Sequence, residues 1–533
     1  MNPHENSSLP IISSKSVPRR FFGWLFSWRS VKWAFKGAAI LITLAAVALS
    51  FENWRGKRAW NKFKSEWEAK GEKFELSAHI PTGVPDDQNF ASTPLFSPLF
   101  QYKYRTQTNK SQDPFEPRSV EWSQTNAMEL SENLNMTKPP RKGTNAPSFG
   151  SSVKGSVTDI AAWQAFYRGN TNYAQASVEA DAPTTLLTAL GKIQPALEEL
   201  RAISHRPHTV FPVHYEENAE ALLAHLAPMK SLVVGIRLRT TALLNAGRPE
   251  EALADVRLGW RLIDALRQEP LLISQLVRIA MIQITVDSIW EGLARNQWKE
   301  PHIVELQGLA SHLDMLSAYA SAIRGERGFC NALMDRMHQG DFRLAGAFGE
   351  DSVRSPFLNA FRFAPGGMLY QNQVLINRLH QEAMLSAVDA KQHRVFPNVT
   401  VDLERSLLSK RPTPYNVLAR LLFPAFTKFS AKIARSQNTL DCLATACALE
   451  RFRFAKQDYP SELSALVPTY LASVPTDVMD GKPLRYTRNG TNNFTLYSIG
   501  WDEKDDGGTP LNRKKLVVSS EAEDGDWVWK ARP

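Results

Sequence analysis

Three cysteines in 533 residues (Cys330, Cys442 and Cys447) are too few for a disulfide framework. Cys442 and Cys447 stand five apart on an expected helix and diverge around it, so free, mostly buried thiols are predicted. The chain has no paired-cysteine zinc motif, no HExxH helix, no nucleophile elbow and no Gly-rich phosphate loop. The common signatures of zinc hydrolases, serine hydrolases and P-loop NTPases are therefore missing. No 34-residue recurrence is present, which removes a regular helical-repeat array. A spread of positive charge is also missing. Residues 1–70 hold 12 Lys/Arg against 4 Asp/Glu, and the other 463 residues balance 51 basic against 50 acidic. The net charge of +9 thus flanks one apolar run, which suits a membrane surface and argues against a nucleic-acid partner.

That run is VKWAFKGAAILITLAAVALSF, Val31 to Phe51, uncharged from Gly37 onward. At 1.5 Å per residue it reaches about 30 Å as a helix, enough to cross a hydrocarbon core. Lys32 and Lys36 suit the headgroups, and Trp33 and Trp54 the two interfaces. It reads as an uncleaved anchor, with a cleaved signal peptide as the alternative. Six basic residues precede it (Lys15, Arg19, Arg20, Arg29, Lys32, Lys36). Six follow, with three acidic residues among them, so the N-terminus is expected inside and the rest across the bilayer. Trp60, Phe63 and Trp67 then share one face of an amphipathic helix that leaves the membrane.

The expected organisation is a basic segment over 1–30, an anchor over 31–51 and a membrane-exit helix over 52–79. A Pro/Ser/Asn-rich extended segment and linker follows over 80–155, then a helical domain over 156–414 and a small α+β domain over 415–533. The fold class is mainly α. Pro81, Pro85, Pro94 and Pro98 break any helix in the extended segment, and its acidic pair Asp86–Asp87 reads as a solvated loop or helix cap. In the helical domain Gly247 marks a helix end and Pro249, Glu250 and Glu251 the start of the next. Leu253, Val256, Trp260 and Ile263 form its buried stripe. Leu306, Leu309, Leu313 and Leu316 suggest another amphipathic helix. Leu271–Trp290 is apolar nearly all round but contains Arg278 and Asp287. A central core helix fits better than a second span, because ionised groups are costly in lipid.

Two clusters invite chemistry. His205, His208 and His214 offer imidazoles, but Pro207 and Pro212 interrupt any metal-binding spacing, so a polar loop is expected. Arg324, Glu326 and Arg327 read as surface pairing on a helix, and Cys330 as a core residue.

The last hundred residues follow a definite grammar. A helix carries Leu440, Leu443, Cys447 and Phe454. A short helix, SELSALVPTYL, comes next. Strands are predicted at LRYTR, NFTLYSI and DWVWK, with Asn489–Gly490 as the hairpin turn. Tyr459–Pro460, Leu463, Leu466, Pro475, Asp477, Gly481, Pro483, Tyr486, Tyr497, Ser498, Gly500, Asp502, Gly507, Gly508, Asp526 and Trp529 make this stretch resemble the globular head of the major pseudopilin of type II secretion. The chain as a whole also looks like large membrane-anchored bacterial envelope proteins carrying that head. The resemblance implies a structural Ca2+ in the loop after the Tyr-Ser strand, at Asp502 and Asp526, with Asp505, Asp506 and Asp524 as neighbouring donors. Calcium takes six to eight hard oxygen ligands, and carboxylates with backbone carbonyls supply them. Nothing near Met1 matches a pseudopilin leader, and about 380 residues separate the anchor from the head, so fibre assembly is not implied.

The expected function is a non-enzymatic scaffold or interaction protein of the cell inner membrane. It would be single-pass, with a cytoplasmic N-terminus and an envelope or secretion protein as partner. An envelope hydrolase with its site in the helical domain and an atypical pseudopilin are the alternatives.

Overall fold

A single helix, α1 (Trp28–Glu68), runs 41 residues without a break. Only Gly37 and Gly56 are weak helix formers within it, and no proline interrupts it. Its apolar part is exposed on all sides, with a mean hydropathy of 2.0 over a window of which none is buried. The helix is long and apolar enough to cross a membrane, and it then continues as the membrane-exit segment. The exit helix ends at Glu68, short of the expected residue 79, and the chain turns through Gly71. The computed structural model describes residues 28–104, 120–122, 126–140, 145–340, 364–509 and 525–533.

Residues 80–104 form an irregular strap. Its prolines keep it from forming an α-helix, leaving two short 3-10 turns (Asp86–Gln88 and Ser97–Phe100), and Phe90, Phe96, Leu99 and Phe100 anchor it in the core. The strap ends in β1 (Tyr102–Tyr104), which pairs antiparallel with β2 (Val120–Trp122). A short α2 (Asn126–Asn133) follows.

The helical body begins with α3 (Ile160–Arg168), α4 (Ala182–Leu190) and α5 (Gln194–Ala202). Asp159 caps α3 by accepting the Ala161 and Ala162 amides at 3.0 Å, and Asp181 caps α4 through the Thr184 amide at 2.8 Å. Then come α6 (Leu226–Asn245) and α7 (Pro249–Ala265), joined through Gly247 at φ +71° as the sequence pattern predicts. Leu253, Val256, Trp260 and Ile263 are all buried.

Next is α8 (Leu272–Ala294), the Arg278-containing apolar helix, which is mostly buried inside the body. It is a core helix, as its internal charges require. The pair α9 (Glu300–His312) and α10 (Met315–His338) corrects one expectation. The leucine spacing from Leu306 to Leu316 runs across a break, not along one helix. Leu313 is extended at ψ 113°, and Asp314 caps α10 through the Ser317 amide at 2.9 Å. An apolar stripe cannot distinguish one helix from two that meet at a tight corner.

The remaining elements are α11 (Gly366–Leu379), β3 (Val388–Asp389) and β4 (Arg394–Val395) as a small hairpin, α12 (Pro397–Ser409), and the 40-residue α13 (Val417–Lys456). The chain closes with an antiparallel sheet of β5 (Arg485–Arg488), β6 (Phe494–Ser498) and β7 (Trp527–Lys530), with β6 in the centre. All three strands lie where the sequence predicts them.

One contiguous core runs from Leu76 to Ala531. The C-terminal sheet is fastened to α8: the Trp290 indole donates to the Lys530 carbonyl at 2.6 Å, and Arg532 donates to the Leu293 and Ala294 carbonyls at 2.6 Å. Polar residues of α8 hold a second long-range contact. Asp287 accepts from the Ser152 amide at 3.0 Å and hydroxyl at 2.7 Å, and Glu291 accepts from the Thr158 hydroxyl at 2.6 Å. Arg237 of α6 lies between the two carboxylates, at 3.3 Å and 3.2 Å, and donates to the Gly150 carbonyl at 2.6 Å. All three charged side chains are buried. The segment around 150–158, which reads as loose linker from composition, is thus pinned by a desolvated charge network.

Removing one member of such a network leaves the others buried and uncompensated. Arg237→Met is expected to lower stability by about 3–5 kcal/mol, read as a fall in the urea midpoint of the full chain in detergent. A change under about 1 kcal/mol would show that Asp287 and Glu291 are held by their hydroxyl donors alone.

Candidate functional site at the membrane junction and the C-terminal loop

The anchor meets the body where α1 crosses α11. A methyl group on Gly56 would sit 2.5 Å from the Gly367 carbonyl oxygen, and one on Gly367 would sit 2.1 Å from the Glu52 carbonyl oxygen. The two helices therefore touch backbone to backbone, which only glycine permits at this separation. The α11 N-terminus has no side-chain cap of its own. Asn53 of α1 supplies one, accepting the Gly367 amide at 2.8 Å. One turn further on, Trp60 and Phe63 pack with Phe74 and Val374 in a small apolar cluster of their own, flanked by Trp67. The face predicted from Trp60, Phe63 and Trp67 is the one that docks.

Beyond the turn, Glu72 fastens the same junction to α10. Arg324 reaches it at 2.8 Å and Arg327 at 2.7 Å. Arg327 is fully buried and also donates to the Lys73 carbonyl at 2.7 Å. Burial works to raise the Glu72 pKa, but hydrogen bonds from the two arginines outweigh it and hold the carboxyl at about 2. The expected surface pairing of Arg324, Glu326 and Arg327 is thereby corrected. The arginines turn to a residue some 250 positions earlier, and Glu326 is half-buried, accepts the Leu272 amide at 3.1 Å and has its pKa pushed up to about 7 by desolvation.

From Glu52 to Glu68 the helix extends about 25 Å at 1.5 Å per residue. The apolar stretch is thus joined to the docking face by one continuous helix, with no flexible tether between them.

In the C-terminal module Asp477 is the central brace. It is fully buried and accepts from the Ser498 hydroxyl at 2.7 Å, the Met479 amide at 2.9 Å, the Ile499 amide at 3.0 Å and Arg485 at 2.7 Å. The acidic loop folds back onto β7. Asp526 is buried and accepts the Gly508 amide at 2.6 Å and the Asp506 amide at 3.3 Å, and burial pushes its pKa up. Asp502 is half-buried and accepts the Gly525 amide at 3.4 Å. Asp505 accepts the Gly507 amide at 3.0 Å and the Tyr497 hydroxyl at 3.2 Å. Asp506 is exposed, and Asp524 lies outside the described residues. Among the described residues no group of three or more His, Cys, Asp or Glu side chains is arranged to hold a metal. The described loop carboxylates accept from N–H and O–H donors of the chain itself.

The other candidates are structural. His208 exchanges backbone hydrogen bonds with Gln88 and Phe90, and His214 lies 2.8 Å from Glu216. Asp86 accepts the Ser92 hydroxyl at 2.7 Å in an exposed turn. Cys330, Cys442 and Cys447 are free and buried.

Two outcomes test these sites. Gly367→Leu should destabilise the docked junction by about 3 kcal/mol, whereas Gly37→Leu, with nothing within 4 Å of the added carbon, should leave melting unchanged. Equal effects would mean that the crossing is not close-packed. Asp526→Ala should cost about 1–2 kcal/mol through the lost Gly508 and Asp506 amide bonds, equally in calcium and in chelator. A loss confined to calcium-containing buffer would instead assign the loop to an ion.

No family model, no curated protein and no solved structure matches this chain.

Proposed function

We propose that the chain is a single-pass, membrane-anchored bacterial envelope protein with a scaffolding or interaction role. Its N-terminus is cytoplasmic and its body extracytoplasmic. The observation that carries this reading is the α1–α11 crossing. An apolar helix that needed only to tether a domain would be followed by a flexible linker. Here it is followed by backbone contact at Gly56 and Gly367, a borrowed cap from Asn53 and a buried ion pair at Glu72. Such coupling suits a protein whose body must hold a defined height and orientation above the bilayer for a partner to find.

The pseudopilin-like reading of residues 415–533 belongs to the same proposal, and links the protein to secretion. It is supported by one long helix packed on a three-stranded antiparallel sheet, with the acidic loop returning to the last strand. Calcium enters this reading through the resemblance alone.

The hydrolase reading has one observation in its favour. His225 Nε2 lies 2.6 Å from Glu269 Oε1, both buried, and Glu269 lines a cavity of about 200 Å3. A histidine–carboxylate pair can orient a general base. Among the described residues, however, neither Nε2 nor Oε1 of the pair is in hydrogen-bonding geometry, Nδ1 has no partner, and no serine, threonine or cysteine side chain is hydrogen-bonded to this histidine. The pair lacks a nucleophile.

The orientation is tested by protease treatment of intact spheroplasts carrying a C-terminal epitope. The epitope is expected to be lost without lysis. Protection until lysis would place the body in the cytoplasm and end the envelope assignment.

A further inference from the structure

A cavity of about 450 Å3 is a cleft where the end of α7, the Arg278 turn of α8 and the α9–α10 corner meet His79 and Pro81. That volume lies in the range of small-molecule sites. Arg278 is among its walls and is fully buried. Two of its nitrogens have partners, both neutral: Nε donates to the Ile263 carbonyl at 3.2 Å and Nη1 to Gln275 at 3.4 Å. The third, Nη2, is buried with no partner. No carboxylate among the described residues lies within salt-bridge distance of this guanidinium.

A buried, unpaired cation is costly, and arginine does not escape the cost by losing its proton. Burial does lower its pKa, to about 10, which still leaves it charged at neutral pH. Two carboxylates in the same wall are committed elsewhere. Asp264 pairs with Arg267 at 3.3 Å, and Asp314 caps α10 through the Ser317 amide. They cancel the formal charge of the wall without reaching the Arg278 guanidinium. His79 completes the polar set. Its Nε2 lies 3.1 Å from the Lys73 carbonyl, so Nε2 carries the proton and Nδ1 is left as an acceptor. Burial lowers its pKa, so the ring is neutral at pH 7.

We propose that this cleft binds a small soluble ligand bearing an oxyanion, a carboxylate or a phosphate ester, that takes the Arg278 Nη2 hydrogen and donates a hydroxyl to His79 Nδ1. A guanidinium with a free N–H edge is the side chain best suited to such a group. A lipid headgroup is the other source of an oxyanion. The lipid source is separated from the soluble one by the nanodisc arm of the experiment.

The test uses the full chain in neutral detergent, melted in about 50 mM inorganic phosphate, in acetate, and in chloride at equal ionic strength. Phosphate or acetate should raise the melting temperature by about 2 °C over chloride, and whichever acts names the oxyanion class. Arg278→Met should abolish the shift. Ala318→Trp, which fills the cleft while leaving the arginine in the sequence, should abolish it as well and serves if the first variant does not fold. No shift in either anion would overturn the proposal. So would a shift retained in both variants, or one produced only by phosphatidylglycerol in nanodiscs.

Discussion

Two backbones in contact set the character of this molecule. Where α1 passes α11, Gly56 and Gly367 leave no room for even a methyl group, and the crossing fixes the membrane helix to the body at one place and one angle. Side chains alone make softer contacts, because rotamers adjust. Main-chain contact does not adjust, so the angle at which the apolar span leaves the body is set by the fold. The neighbouring Asn53 cap and the Glu72–Arg327 pair have the same effect from either side of the crossing.

The interior follows from a related constraint. A chain with balanced charge and few disulfide-capable residues gains by bringing buried charges inside in paired sets. Around α8 it does so with Arg237 between Asp287 and Glu291, and around β6 with Asp477 receiving four donors. These sets hold segments far apart in sequence: residues 150–158 against α6 and α8 in one case, and the β5–β6 ladder against its preceding turn in the other. Arg278 stands apart from these sets as a buried cation with no carboxylate within salt-bridge distance among the described residues, the kind of local inconsistency that marks a site. The C-terminal module is not separate from the rest, because α13 runs through the shared core and Trp290 and Arg532 close the seam.

Much of this was legible from periodicity. The apolar span, the docking face of Trp60, Phe63 and Trp67, the α6–α7 turn at Gly247 and the three closing strands are all local patterns, and local patterns record secondary structure. The partial misreadings share a cause. Leu313 belongs to an apolar stripe on either side of a corner, so spacing could not reveal the break that Asp314 makes. Arg324 and Arg327 flank Glu326 on one helix, a proximity that suggests pairing along it, whereas the carboxylate they reach is Glu72. The acidic cluster of Asp502, Asp505 and Asp526 is not one of these misreadings: the sequence shows the cluster, and the fold adds the backbone amides its carboxylates accept.

The sequence by itself determined which segments are helices and strands, where the apolar span lies and which residues are core, because these depend on residue type and on spacing over a few turns. Only the tertiary structure decided that Gly56 meets Gly367, that Glu72 finds Arg327, and that Arg278 is buried beside a cleft without a counter-charge. Those are meetings of residues tens to hundreds of positions apart. Their energies depend on distance and desolvation in space, which no spacing along the chain encodes.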